Sequence, residues 1–327
     1  MILQEVIRQQ VLSAIPPNAT KIVLVDPPDH PNVGDSAILY GEMTFLSVHF
    51  PNAKVNFVDY KSYANGQKYL LERADCILFH GGGNFGDLWK RHQNTRLRIM
   101  REFPNKPMLQ FPQSIHFKDQ NNIAEMAEVI SKCADYTLVV RDKNSLAFAE
   151  KHFSCKTNLS PDMAFYMPKL TRLKPHLDTF CLLREDKELL VDKTKAIISI
   201  LDELTLTHKH EDWVIEEAPL KAKLNDLLCR WFKLHPSITP ILQPIYEYIR
   251  ILYMRDNVKR GVKLLSSGKI VVTDRLHAMI MSHLLGITNY TFDSLGSKVA
   301  SFYKAWLSDA SITHLIDDVD DLRETIK

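Results

Sequence analysis

The sequence predicts an α/β protein of two doubly wound domains facing each other across a cleft. Three observations carry this. Short apolar runs alternate with stretches of helical spacing through the first half of the chain. The runs are apolar throughout, as in parallel strands covered on both faces. The chain has 327 residues, beyond the size at which single cores usually split. The expected domains are 1–168 and 169–327, the second with fewer strands.

The elements follow in order. Leu3, Val6, Ile7, Val11 and Ile15 have helical spacing, which predicts a short amphipathic helix, docked on the body or lying on a membrane surface. Glu5, Arg8, Gln9 and Gln10 interrupt any signal-peptide core. Strands are expected at Lys21–Asp26, Lys54–Tyr60, Cys76–His80, Pro107–Phe111 and Tyr136–Val140, with helices at Ala37–Phe50, Gly66–Arg73, Leu88–Phe103, Ile123–Cys133 and Lys143–His152. Tyr166–Asp178 has two prolines and little periodicity, and reads as a linker. The second half offers strands at Thr179–Arg184, Lys269–Asp274 and Ile287–Phe292, and helices at Leu276–Leu285 and Lys298–Leu307. A polar, helix-leaning segment runs up to Ser267. In it, the aromatic-basic stretch Tyr246–Lys263 suggests RNA or membrane contact, but reads first as an amphipathic helix with one face on the core and its basic residues in water.

Composition narrows the function. With 41 Lys+Arg against 39 Asp+Glu, 45% hydrophobic and 24% charged residues, the chain is neither a disordered tail nor a basic nucleic-acid coat. No nucleic-acid partner is expected, and an anionic ligand must be caught locally. Five cysteines with no CxxC pair indicate neither a disulfide framework nor a zinc knuckle. No HExxH, GxSxG or EF-hand pattern occurs, so no metal is expected. No run of about 18 apolar residues is present. A cytoplasmic protein is expected.

In such sheets ligands gather at the C-terminal strand ends, so the residues after each strand are the candidates. After the first come Asn32-Val33-Gly34-Asp35, a polar turn leading into a helix at Ser36, with Asp35 or Ser36 as its cap or its free N–H groups as an anion site. After the third comes His80 with Gly81, Gly82, Gly83, Asn84, Phe85, Gly86 and Asp87, a glycine cluster suited to close approach of a phosphate or sugar, or to a structural turn. Gln113 and Ser114 follow the fourth strand, and Arg141 with Ser145 the fifth. Arg141 reads as an anion ligand or as an ion-pair partner. Lys269–Asp274 runs directly into Arg275-Leu276-His277 at a helix start. Arg275 can bind a carboxylate or phosphate bidentately and His277 can move protons near neutral pH, or the two can be a capping Arg and a half-buried His.

Taken together these motifs resemble the polysaccharide pyruvyl transferase family, nearest to its bacterial exopolysaccharide and capsule members. The resemblance spans about Asp26 to Trp306 and continues through Ser160-Pro161-Asp162-Met163-Ala164 and Asp293-Ser294-x-Gly296-x-Lys298. It implies a glycosyltransferase-B-like pair of Rossmann-like domains, with phosphoenolpyruvate as co-substrate and no cofactor. The implied acceptor is a sugar with two hydroxyls, in a polysaccharide or on a lipid-linked precursor, and the product a cyclic pyruvate ketal. It places Arg141, Arg275 and His277 at the donor, with Ser145 and Leu276 beside them; the chemistry of ketal formation makes His277 the general acid or the group that handles phosphate departure, and Asp35 the candidate base. Asn32, Gly34, Gly81, Gly82, Gly83, Asn84, Gln113 and Ser114 fall to the acceptor side; Asp87, Asp162, Ser294 and Lys298 are further candidates. A lipid-linked acceptor implies a station at the inner face of the membrane. The stretch from Asp186 to Ser267 lacks the strand-rich pattern of longer members. A nucleotide-sugar glycosyltransferase, or a non-catalytic sugar-binding scaffold in polysaccharide assembly, are the alternatives.

Overall fold

The computed structural model describes residues 3–184, 193–213, 219–293 and 298–326. They group into two compact units, one of Met1–His30, Ile38–Met167 and Glu217–Arg255, the other of Pro31–Ala37, Pro168–Glu216 and Asp256–Lys327. The chain changes unit after Met167, beside the boundary expected at 168, but 31–37 and 217–255 each belong with the other half of the sequence.

The first unit holds α1 (Leu3–Leu12), β1 (Lys21–Val25), α2 (Val33–His49, from Ile38 onward), β2 (Lys54–Val58), α3 (Lys68–Arg73), β3 (Cys76–Phe79), β4 (Gly82–Gly86), α4 (Lys90–Glu102), β5 (Met108–His116), α5 (Gln120–Ser131), β6 (Tyr136–Val140), α6 (Lys143–His152) and β7 (Lys156–Leu159). Its strands are parallel in the order β2-β1-β3-β5-β6-β7, with β4 on the far half of β5. All residues of β3 and β6 are buried, which is why these runs carry no polar alternation. After β1 the chain adds β2 on one side and β3 on the other, so the crevice beyond the ends of β1 and β3 is the topological switch point.

The second unit carries β8 (Leu177–Leu182), α7 (Thr194–Glu203) and β9 (His208–His210). Next come α8 (Leu220–Leu234) and α9 (Thr239–Leu265), which lie with the first unit up to Arg255. The second unit resumes through the end of α9, β10 (Gly268–Thr273), α10 (Leu276–Leu284), β11 (Thr288–Phe292), α11 (Lys298–Trp306), β12 (Thr313–Ile316) and α12 (Val319–Thr325). The five strands are again parallel, ordered β12-β11-β10-β8-β9. Its switch point lies beyond the ends of β8 and β10.

Several expectations need correction. The glycine run is not a free loop: Gly82, Phe85 and Gly86 pair with Gln113, Ile115 and His116 as β4. Gly86 takes φ 126°, and a Cβ there would sit 1.8 Å from the His116 carbonyl oxygen, so only glycine fits that pairing. The expected helix at Gly66 opens with a π turn at Tyr63–Gln67; a Cβ on Gly66 would lie 2.7 Å from the Phe232 carbonyl oxygen of α8. The helix expected from Leu88 begins as a 3-10 turn at Asp87–Trp89. The expected linker is half structured: β8 starts at Leu177, and Arg172 donates to the carbonyls of Gly268, Lys269 and Gly286. In α9, Arg250 does not face water. It is buried against Asp59 at 2.5 Å and donates to the Pro28 carbonyl at 3.0 Å, while Arg255, Lys259 and Lys263 are exposed.

Candidate active site

In the second unit, the Asn32-Val33-Gly34-Asp35 turn and the Arg275-Leu276-His277 helix start come together. Asn32 Oδ1 accepts the Gly34 N–H at 2.9 Å, so Asn32 is the cap and α2 begins at Val33 rather than at Ser36. Asp35, expected as a cap, lies in the first helical turn, partly exposed. The residue at 34 has no room for a side chain. A Cβ there would lie 2.3 Å from His277 Nδ1, 2.6 Å from Cγ and 2.8 Å from Cβ. The imidazole thus packs directly on the backbone of the turn.

The far end of α9 holds the turn from another side. Asn257 Nδ2 donates to Ser36 Oγ at 3.1 Å, and Arg260 donates to the carbonyls of Pro31 and Trp213. A Cβ on Gly261 would lie 2.3 Å from Val33 Cγ1, which explains a glycine deep in α9. Residues 31–37 therefore form a fixed platform under His277.

At the second switch point, β10 hands the chain to α10. Thr273 Oγ1 donates to the Leu182 carbonyl at 2.6 Å and accepts the Arg275 N–H at 3.0 Å. Asp274 accepts the Arg184 N–H at 2.9 Å, tying the ends of β8 and β10; burial raises its pKa. Arg275 has extended backbone angles at the N-cap position and makes no side-chain cap. Its guanidinium instead meets Asp212 at 2.5 Å. An N-terminus without a side-chain cap favours anions through its dipole and backbone donors. Leu276 is buried behind it and His277 is partly exposed. Lys298 begins α11, whose first turn is capped by Asp293 Oδ1 accepting from the Ala300 N–H at 3.0 Å; Ser294 and Gly296 lie outside the described residues.

In the first unit, Arg141 closes β6. Its Nε donates to Ser114 Oγ at 2.9 Å and its Nη1 to Asp162 at 2.6 Å, with both charges buried. Ser114 and Ser145 both donate to Asp142 Oδ2, at 2.7 and 2.9 Å, and Ser145 Oγ accepts the Ile115 N–H at 2.9 Å. Of the two readings of Arg141, its ion pair with Asp162 is visible. Asp162 also caps the 3-10 turn after it. Asp87 is engaged as well. Burial acts to raise its pKa, but the N–H groups of Asp119 and Lys118 hold it below the usual range.

The glycine segment leads into a polar network. Gln113 Nε2 donates to the His80 carbonyl at 2.9 Å and to Asn84 Oδ1 at 2.8 Å. Arg96 donates to Asn84 Oδ1 at 2.7 Å and Gln110 Oε1 at 2.9 Å, and burial lowers its pKa to about 10. Gly81 donates its N–H to Glu42, and a Cβ there would lie 2.9 Å from the Pro112 carbonyl oxygen. Gln113 Oε1 is buried with no hydrogen-bond partner among the described residues. Such an acceptor suits a ligand hydroxyl. Gly82 (φ 114°) is buried and Gly83 partly exposed.

Sequence reasoning missed two carboxylate–imidazole pairs. Asp26, at the end of β1 with φ 66°, bonds His92 Nδ1 in the first turn of α4. Burial alone would lower the His92 pKa, yet the hydrogen bond and charge of Asp26 raise it. Aspartate is among the non-glycine residues that tolerate the left-handed region, and residues held there cluster at functional sites. The second pair, Glu42 with His80 at 2.7 Å, is buried, and burial raises the Glu42 pKa. Asp26 was visible as the polar end of an apolar run. His92 gave no signal, because only the fold brings α4 to the end of β1.

The comparisons agree with the motifs. The family model for polysaccharide pyruvyl transferases matches residues 32–294. Pyruvyl transferase 1 of Schizosaccharomyces pombe is 30% identical over 92% of this chain and 74% of its own. EpsO of Bacillus subtilis, provisionally named a pyruvyl transferase, is 28% identical over 92% of this chain and 89% of its own. A crystal structure of a Klebsiella pneumoniae protein of uncharacterised function covers 97% of this chain and all of its own, with a TM-score of 0.64 at 15% identity, a likeness of fold. With a parallel α/β fold, the motif residues at its strand ends and a family match over most of the chain, this protein belongs to the polysaccharide pyruvyl transferase family.

Proposed function

We propose that the protein transfers the pyruvyl group of phosphoenolpyruvate to two hydroxyls of a sugar, in a polysaccharide or on a lipid-linked precursor, closing a cyclic ketal and releasing phosphate. The observation that carries this is the packing of Gly34 on His277, which joins two family motifs from opposite ends of the chain in one site. The proposal keeps the glycosyltransferase-B-like pairing of Rossmann-like domains that the resemblance implies. No cofactor or metal takes part in it.

Phosphoenolpyruvate carries a phosphate and a carboxylate on one small skeleton. The α10 start and the Arg275 fork, held in plane by Asp212, suit such an anion. In the first unit, Arg141, its plane fixed by Ser114 and Asp162, and Ser145 are the candidates for an anionic group. His277 protonates the methylene carbon, and the first sugar hydroxyl adds to the electron-poor C2, giving its proton to a base. The C2–O bond to phosphate then breaks, phosphate carrying the electron pair, and the second hydroxyl closes the ring as its proton leaves. The base is Asp35 in the His277 platform. The buried Gln113 Oε1 supports a hydroxyl-bearing acceptor at the glycine segment.

The test is phosphate release from phosphoenolpyruvate over a panel of hexose and N-acetylhexosamine acceptors, with mass spectrometry of the products. A pyruvate ketal supports the reading. Thermal stabilisation by UDP-sugars and not by phosphoenolpyruvate would favour a nucleotide-sugar transferase. Binding without turnover across the panel would favour a scaffold.

A further inference from the structure

Of the twelve exposed large hydrophobic side chains among the described residues, eight fall between Leu220 and Tyr248. On α8 they are Leu220, Leu224, Leu227, Trp231 and Leu234, separated by alternating steps of four and three. That spacing places them in one narrow stripe along the helix. Asn225, Cys229 and Phe232 are buried on the opposite side, so the stripe faces outward, Leu220 and Leu234 most exposed and Leu224 least. Ile241, Ile245 and Tyr248 repeat the spacing on the first turns of α9. Contiguous exposed apolar surface of this kind marks an interaction site.

The charges decide what covers it. α8 carries Lys221, Lys223, Arg230 and Lys233 against one acid, Asp226. Asp226 is engaged by Lys61 at 2.6 Å and Arg230 at 3.2 Å. On the side of α8 that Cys229 faces, away from the stripe, Lys61, Arg230 and Lys233 line a cavity of about 170 Å³ with Asp226 and Cys229. A second copy packed stripe to stripe would set these basic rows against each other. An anionic lipid surface meets both needs, taking the leucines into its interface and the cations onto its headgroups. Trp231 and Tyr248, both exposed, are the aromatic types enriched at that depth. No helix among the described residues is long and apolar enough to cross a membrane.

We propose that α8 and the start of α9 form a membrane-docking face that lays the protein on anionic lipid bilayers. The binding is peripheral, driven jointly by apolar insertion and by charge. It is independent of the proposed reaction and is tested without turnover.

The full chain is sedimented with phosphatidylcholine vesicles, with and without phosphatidylglycerol, at low and high salt. Wild type is expected to bind the anionic vesicles and to be released by salt. A triple variant Leu220→Gln, Leu227→Gln, Leu234→Gln is expected to lose at least about tenfold in partitioning with little change in melting temperature, because Leu220 and Leu234 are mostly exposed and Leu227 is half-exposed. Lys223→Gln with Lys233→Gln should remove the preference for phosphatidylglycerol. A second apolar variant, Ile241→Gln with Ile245→Gln, should act in the same direction as the first. The proposal is overturned if wild type stays in the supernatant or if the variants bind as wild type does. It is equally overturned if light scattering shows a dimer that the apolar variants dissociate, since the stripe would then be covered by a second copy.

Discussion

Replacing Gly34 with alanine is the most direct perturbation of the site. The added Cβ would stand 2.3 Å from His277 Nδ1 and 2.6 Å from Cγ, where apolar contact ordinarily begins at about 3.5 Å. The ring or the first turn of α2 must therefore retreat by about 1 Å. Rotation of the imidazole does not relieve the clash, because His277 Cβ is itself 2.8 Å away. Overpacking of this kind costs about 1–3 kcal/mol. Alanine in a helix regains about 1 kcal/mol over glycine, so the loss of stability should be small. The catalytic loss should be large, since a misplacement of about 1 Å can cost about a hundredfold in rate. The assay is kcat and KM for phosphoenolpyruvate beside the melting temperature. A Gly34→Ala enzyme with wild-type kcat would refute the role given to His277 and the reasoning that ties the two motifs.

The remaining predictions are more local. His277→Ala should lose about a hundredfold or more in kcat with little change in melting temperature, and wild-type turnover would remove it as the acid. Arg275→Lys keeps the charge but loses the planar fork on Asp212, so KM for phosphoenolpyruvate should rise; an unchanged KM would make Arg275 structural. Arg141→Met takes the guanidinium away from the buried Asp162 carboxylate, at about 3–5 kcal/mol, and adding Asp162→Leu should recover part of it; a single variant as stable as wild type contradicts the pair. The raised His92 pKa makes a pH prediction. The pair with Asp26 stabilises the fold fully below the unfolded-state value of about 6.5, and that contribution is lost as pH rises through the higher folded-state value. The gap in melting temperature between wild type and Asp26→Asn should therefore shrink from about pH 5.5 to about pH 9, and a flat gap denies the pairing.

The long apolar strands were legible because burial on both faces leaves an unbroken signal, as at Tyr136–Val140. β4, β7 and β9 were not. Gly82–Gly86 has no apolar run and is a strand only because β5 overruns β3 and offers it a partner. Lys156–Leu159 and His208–His210 are short and mostly polar, and edge positions pair them. The cap of α2 was misplaced for a related reason: Ser and Asp are equally good caps in isolation, and the Asn32–Gly34 bond decided among them. For the candidate site, each motif was legible in place, but neither carboxylate partner of the two arginines was assigned. Asp162 was only a further candidate and Asp212 drew no notice.

By itself the sequence determined the parallel α/β class and the strand ends at which chemistry gathers. Both follow from local periodicity and from where apolar runs give way to glycine, arginine and histidine. Tertiary structure alone decided which ends meet. It set Gly34 under His277, gave Arg141 and Arg275 carboxylate partners, brought His92 to Asp26 and turned the apolar stripe of α8 to solvent. These are contacts between residues remote in sequence, fixed by strand order and helix packing, and no local pattern along the chain encodes them.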